Sequence, residues 1–164
     1  MIIRKAKKED IDQIIQLLDD LEKTHLELDL SETERKFIQR VQDVKRIIKS
    51  GLEKALNKDH LLLVAENDGN IVGYLKAEIE TRSLTKLHDK KLYIRHLIIL
   101  KQYRNKGIGT QFIKEAEKFA ATKNIPFITL KTSTKNKEAL DFYKNLGFQD
   151  IYIELVKKQE GGLK

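Results

Sequence analysis

The sequence predicts a mixed α/β domain, a central sheet covered by helices, and three observations carry that prediction. Two apolar runs, LLLVAEN and IVGYLKAEIET, flank the turn signal NDGN at 67–70, the mark of an antiparallel hairpin. Further on, KLYIRHLIIL at 91–100, a helical stripe and PFITLKT at 126–132 follow one another. That is the order of a strand–helix–strand crossover, which belongs to parallel pairing. Elsewhere, apolar stripes at helical spacing supply the covering layers.

In chain order, IIRKA at 2–6 reads as a short first strand. Ile11, Ile14, Ile15, Leu18 and Leu21 form a stripe along a helix over 9–23. Ser31 and Glu34 have capping-box spacing. The helix they open is expected to run to about residue 49, with Phe37, Val41, Val44, Ile47 and Ile48 on one face and a break or bend at Gly51. The hairpin and the strand at 91–100 come next. A helix with Ile108, Phe112, Ile113, Ala116, Phe119 and Ala120 inward follows them. Pro126, the only proline, opens a further strand. Asn136 to Leu146 is a helix stopped by Gly147 at a left-handed cap. FQDIYIELVKK at 148–158 is expected to close the sheet, giving the order β-α-α-β-β-β-α-β-α-β. One domain, 1–158, is expected, with 159–164 a frayed tail.

Composition narrows the function. There is no cysteine among the 164 residues, which excludes disulfides, thiolate nucleophiles and cysteine-held zinc. His25, His60, His88 and His96 lack metal-ligand spacing, so no metal is expected. The opening MIIRKAKKED does not have the pattern of a secretory leader, and no apolar run reaches membrane-span length. A cytoplasmic protein is expected. The formal charge of +7 would attract polyanions, but the lysines are spread along the chain and interleaved with glutamates, as in KEAEK at 114–118. Nucleic-acid binding is therefore not the expectation.

Chemistry concentrates in two segments. QYRNKGIGTQF at 102–112 places Arg104, Lys106, Gly107 and Gly109 between a strand and a helix. It is no dinucleotide fingerprint, because Phe112 stands where a third glycine would fall, and it has no Gly-Lys-Ser/Thr of a Walker loop. Two glycines at a helix start, beside two cations, suit an anion resting on unpaired N–H groups. The second segment, NKEALDFYKNLGF at 136–148, sets Asn136, Leu140 and Tyr143 on one helical face.

Together LIILKQYRNKGIG and the pattern N-x-x-A-x-x-F-Y-x-x-x-G-F resemble the two best motifs of the GNAT superfamily of N-acetyltransferases, and the element order over most of the chain resembles that fold. The resemblance implies acetyl-CoA as cosubstrate and a sheet splayed between residues 91–100 and 126–132. It places the pyrophosphate on the main chain of Arg104, Asn105, Lys106, Gly107, Ile108, Gly109 and Thr110. The pantetheine arm would lie along Leu97, Ile98 and Ile99, with Asn136 and Tyr143 beside the thioester. An amine would attack the thioester directly. A main-chain N–H near Ile98 or Ile99 would serve the oxyanion, and Tyr143 would protonate the departing thiolate.

The general base is where the sequence departs from the family. Many relatives carry a glutamate on the strand before the glycine loop. The positions two apart there are Tyr93, Arg95 and Leu97, and arginine cannot be a base. His96 falls on the alternating face by strand period. Glu78, Glu80, His88 and Glu27 are the other candidates. The acceptor, a small molecule or a peptide α-amine, would be selected by segments near 24–33 and 81–90, and a homodimer is left open. A non-catalytic acyl-CoA-binding module is the first alternative, suggested by the missing base. A nucleic-acid-binding protein, suggested by charge, is the second.

Overall fold

The computed structural model describes residues 1–18, 28–38, 44–56, 60–81 and 90–157. Leu21, His25, Glu27, Val41, His88 and the tail 159–164 lie outside the described residues.

Five strands form one sheet in the order β1-β2-β3-β4-β5. They are β1 (Ile2–Lys5), β2 (His60–Asn67), β3 (Asn70–Thr81), β4 (Lys90–Ile99) and β5 (Ile128–Leu130). The first four pair antiparallel and β5 joins β4 in parallel, so the sheet is mixed, as expected. The NDGN turn brings Asn67 opposite Asn70. Asp68 and Gly69 both take positive φ, 49° and 80°, the conformation that matches strand twist in a two-residue hairpin.

Helices cover both faces. One face carries α1, helical over residues 11–18, and α3 (Val44–Leu56). Ile11, Ile14, Leu18 and Leu52 there bury against Leu62, Val64, Tyr74 and Ile98. The other face carries α4 (Ile108–Thr122) and, beside it, α5 (Lys137–Asn145). Phe112, Ile113 and Ala116 pack there on Leu63, Leu75, Leu92 and Ile94, with Phe142 and Tyr143 at the margin. Between α1 and α3 lies α2 (Glu32–Ile38). Its capping box forms as spaced, Ser31 N–H donating to Glu34 Oε2 at 2.8 Å and Glu34 N–H to Ser31 Oγ at 3.3 Å.

Three expectations are corrected. Gly51 does not end a helix. It sits inside α3, which continues to Leu56 because Leu52, Ala55 and Leu56 carry the apolar stripe begun by Ile48 past it onto the core. Ile47, expected on the inner face, is exposed. The last strand is absent among the described residues. The stretch 149–157 has no regular pairing, and Ile151, Tyr152, Ile153 and Leu155 are 68–89% exposed. Alternation of apolar residues favours a strand only where an edge pairs it and a layer covers it, and this stretch has neither.

Candidate active site

The sheet opens between β4 and the edge strand β5, where the site is expected. Pairing of β4 with β5 runs through Leu92–Ile128, Tyr93–Thr129 and Ile94–Leu130 and stops there. β4 continues to Ile99, held on its other side by β3. From Arg95 onward one edge of a central strand is therefore unpaired by β5. Arg104 Nε donates to the Ile99 carbonyl at 3.2 Å, so the polar backbone groups of Ile99 face that open edge. By alternation those of Leu97 do also, while those of Ile98 face β3. A Cβ built on Gly73 of β3 would stand 2.8 Å from the Ile98 carbonyl oxygen, which agrees. The N–H of Ile99 is thus better aimed than that of Ile98 to serve an oxyanion in the opening.

At the end of β4 the chain makes a short 3₁₀ turn, Lys101–Tyr103, and enters the glycine loop. Asn105 and Gly107 both take positive φ, 58° and 79°. Gly107 is the N-cap of α4 and supplies no side-chain cap. The first intrahelical bond is Gln111 N–H to Gly107 O at 3.0 Å, which leaves the N–H groups of Ile108, Gly109 and Thr110 without an acceptor inside the helix. These N–H groups and the helix dipole make an anion-binding end.

The two glycines do different work. A Cβ on Gly107 would meet nothing within 4 Å, and its positive φ is what requires glycine. Gly109 is buried, and a Cβ there would lie 2.8 Å from Phe142 Cζ. The expected convergence of cations is also altered. Arg104 turns its guanidinium to the Ile99 carbonyl and, at 3.3 Å, to Glu138, while Lys106 lies over the Tyr103 ring, 5.1 Å from its centre. Backbone groups, more than cationic side chains, define the anion end.

Across from the loop, α5 places the second motif. Asn136 is its N-cap, Oδ1 accepting from Ala139 N–H at 3.1 Å. Its C-terminus closes as expected at Gly147, φ 88°. Gly147 N–H donates to Lys144 O at 2.9 Å and Phe148 N–H to Tyr143 O at 3.1 Å, a Schellman arrangement. Tyr143 is held edge-on between Phe142 and Phe148, with ring centres 5.0 and 5.5 Å away. Burial pushes its phenol up to about 12, further above physiological pH, where it is a neutral O–H donor.

The other side of β4 differs from what strand period predicts. Lys76 pairs with His96 but Ala77 pairs with Ile94, so Arg95 is an extra residue, a β-bulge. Its effect on side-chain direction is plain in the packing. Leu92 and Ile94 lie on the α4 face, and beyond the bulge so do Leu97 and Ile99. His96 is thereby turned to the α1–α3 face, the face of Tyr93. This corrects the expectation that the two alternate. His96 Nδ1 lies 2.7 Å from the hydroxyl of fully buried Tyr74. Sequence reasoning missed the bulge because no glycine or proline marks it.

The remaining substrate-side candidates form one ionic cluster on this face. Arg95 Nε donates to Glu78, and its Nη2 to Glu80 at 2.7 Å. Lys91 also reaches Glu80, at 3.1 Å, and the Arg95 guanidinium stacks 4.7 Å over Tyr93. Two cations thus match two carboxylates, and neither glutamate is presented alone as a base.

The profile described as the Acetyltransferase (GNAT) family matches residues 14–148, and the chain belongs to that family. Among curated relatives, the N-alpha-acetyltransferase of Sulfurisphaera tokodaii is 34% identical over 95 residues, 55% of this chain and 57% of that protein. The chain spans between about a third and a little over half the length of the curated relatives it matches. Among solved structures, a mutant of the BH1408 protein from Bacillus halodurans superposes with a TM-score of 0.82 at 22% identity, covering 98% of this chain and 100% of that one. AAC(6')-Iy, in complex with the bisubstrate analogue CoA-S-monomethyl-acetylneamine, gives 0.72 at 17% identity, covering 97% of each chain. Likeness at these identities establishes the shared fold.

Proposed function

We propose that this protein is an acetyl-CoA-dependent N-acetyltransferase acting on a primary amine, a small molecule or a peptide α-amine, by direct attack on the thioester. The observation that carries the reading is spatial. The anion-binding end of α4 stands at the C-terminal end of the same strand whose edge opens beyond Ile94. An extended ligand with a phosphate at one end fits that path, and the open space around Gly107 leaves room for it. The curated relative described as an N-alpha-acetyltransferase supports an α-amine acceptor.

Acetyl-CoA supplies an activated acetyl thioester when bound. The N–H groups of Ile108, Gly109 and Thr110 would hold its pyrophosphate, and the Leu97 and Ile99 main chain its extended arm, as an added strand is held. The Ile99 N–H would stabilise oxyanion charge. Tyr143, a neutral phenol at physiological pH, would give a proton to the departing sulfur.

The test is thiol release from acetyl-CoA with peptides bearing free N-termini, lysine, spermidine and aminoglycosides as acceptors. Release that depends on the amine is expected. A protein that binds acetyl-CoA but releases no thiol with any of them is instead a binding module, a reading favoured by one observation, the locking of Glu78 and Glu80 by Arg95.

A further inference from the structure

A protonated amine cannot attack a thioester, and among the described residues the two carboxylates beside the opening, Glu78 and Glu80, are held by Arg95. The bulge brings another titratable group to that face. His96 is the second residue past the last β4–β5 pair, next to the open edge at Leu97–Ile99. A ligand lying back along that edge from the α4 end, with its thioester at the Ile99 N–H, leaves the rest of the edge for the acceptor, whose amine approaches past Arg95 and His96. The ring is half-buried, and its position is set by Tyr74, whose hydroxyl is 2.7 Å from Nδ1 and whose ring meets it edge-on at 5.8 Å. Tyr74 is itself fixed in the core formed by α1 and Leu52 of α3.

We propose that His96 is the group that takes the proton from the incoming amine, at Nε2, while Nδ1–H donates to the Tyr74 hydroxyl. The inference rests on the acetyltransferase reading above. In the step, one N–H bond of the ammonium breaks and its proton moves to Nε2. The freed nitrogen lone pair then forms the C–N bond at the acetyl carbonyl. As the C–S bond breaks, Tyr143 protonates sulfur, and the second proton shed by the nitrogen restores Tyr143. The products are the amide, the free thiol and one proton, which His96 passes to water. Among the described residues, the titratable and charged groups on this face nearest the ring are Tyr74, Lys76 and Glu78 from β3 and Tyr93 and Arg95 from β4. Lys76, directly opposite, extends its ammonium toward Gly51 of α3. Tyr74 acts as a positioning residue, through the tautomer.

Two measurements test this. Imidazole ¹⁵N NMR on the free protein, with the signal assigned through His96→Asn, should show neutral His96 as the Nδ1–H tautomer, and Tyr74→Phe should shift it toward Nε2–H. A wild-type ring protonated at Nε2 in its neutral form overturns the proposal whether or not any acceptor is turned over. In thiol release with a free-N-terminus peptide, His96→Asn keeps an amide N–H for Tyr74. It should lower kcat/KM by about 10²-fold at pH 7, with acetyl-CoA affinity unchanged by calorimetry. The deficit should shrink as pH rises past the α-amine range of about 7.7–8.0, where the acceptor loses its own proton. A deficit that is absent, or equal at every pH, overturns the base assignment while leaving the acetyltransferase reading intact. A wild-type protein inactive on every amine of the panel overturns both.

Discussion

A Cβ on Gly109 would stand 2.8 Å from Cζ and 3.1 Å from Cε2 of Phe142, so the second loop glycine is where α4 and α5 meet. Phe142 is itself packed at the margin of the core and cannot give way without disturbing Tyr143 beside it. Gly109→Ala should therefore cost about 1–3 kcal/mol of stability, the range for overpacking. Urea denaturation checks it, and a double variant that also carries Phe142→Leu should recover part of the loss.

Gly107→Val should behave differently. Its Cβ has open space on every side, so the folded-state cost is the strain of positive φ, about 1–2 kcal/mol. The branched side chain would fill the space over the α4 end, and acetyl-CoA affinity should fall at least about tenfold. Calorimetry on the folded variant reads this. Undiminished affinity would remove the loop backbone from cofactor binding.

Tyr143→Phe keeps the ring between Phe142 and Phe148 and removes only the hydroxyl. Turnover should fall by about 10²-fold, with acetyl-CoA affinity and neutral-pH stability little changed. The same residue has a signature in alkali. Burial raises the folded phenol to about 12 from an ordinary ~10. Between those values the unfolded chain has released a proton that the folded one retains, so stability falls as pH rises through the window. Denaturation at pH 9 and pH 11 should show a smaller alkaline loss in Tyr143→Phe than in wild type.

Asp10 ties the start of the chain to the sheet. It accepts two bonds from Arg4, at 2.7 and 2.8 Å, and one from Lys7 N–H at 2.7 Å, and Arg4 also holds Glu66 of β2. The Arg4 hydrogen bonds hold its carboxyl below the usual carboxylate value. The resulting stability is present above about pH 4 and is lost as pH falls through the lower, folded value. Asp10→Asn should cost about 2–3 kcal/mol at pH 7 and flatten the acid limb of a stability–pH profile.

Arg95→Ala would change the charge of the Glu78–Glu80 cluster, the proposed acceptor side. Arg95 and Lys91 now balance Glu78 and Glu80, and removing one cation leaves the cluster negative. The variant should favour polycations, raising the kcat/KM of spermidine several-fold relative to that of a peptide N-terminus. Competition assays at equal concentration and low salt would show it. An unchanged ratio would place the acceptor away from this cluster.

By itself the sequence determined whatever depends on neighbours within a few residues. The NDGN hairpin, the Ser31–Glu34 box, the left-handed cap at Gly147 and the glycine start of α4 are local arrangements, specified by steric limits on φ and by side chains that reach their own backbone. The two segments that carry the family likeness are contiguous for the same reason. What only tertiary structure decided lies between residues distant in the chain. The bulge at Arg95 arises in pairing with β3, and because side chains alternate with period two, one extra residue reverses everything after it. His96 therefore faces Tyr74 on the α1–α3 side, which no reading of an uninterrupted strand would predict. The contact between Gly109 and Phe142, the turning of Arg104 to Glu138 and the unpaired stretch at 149–157 share that origin. Each depends on which edge or surface lies opposite, and periodicity along one segment carries no information about its partner.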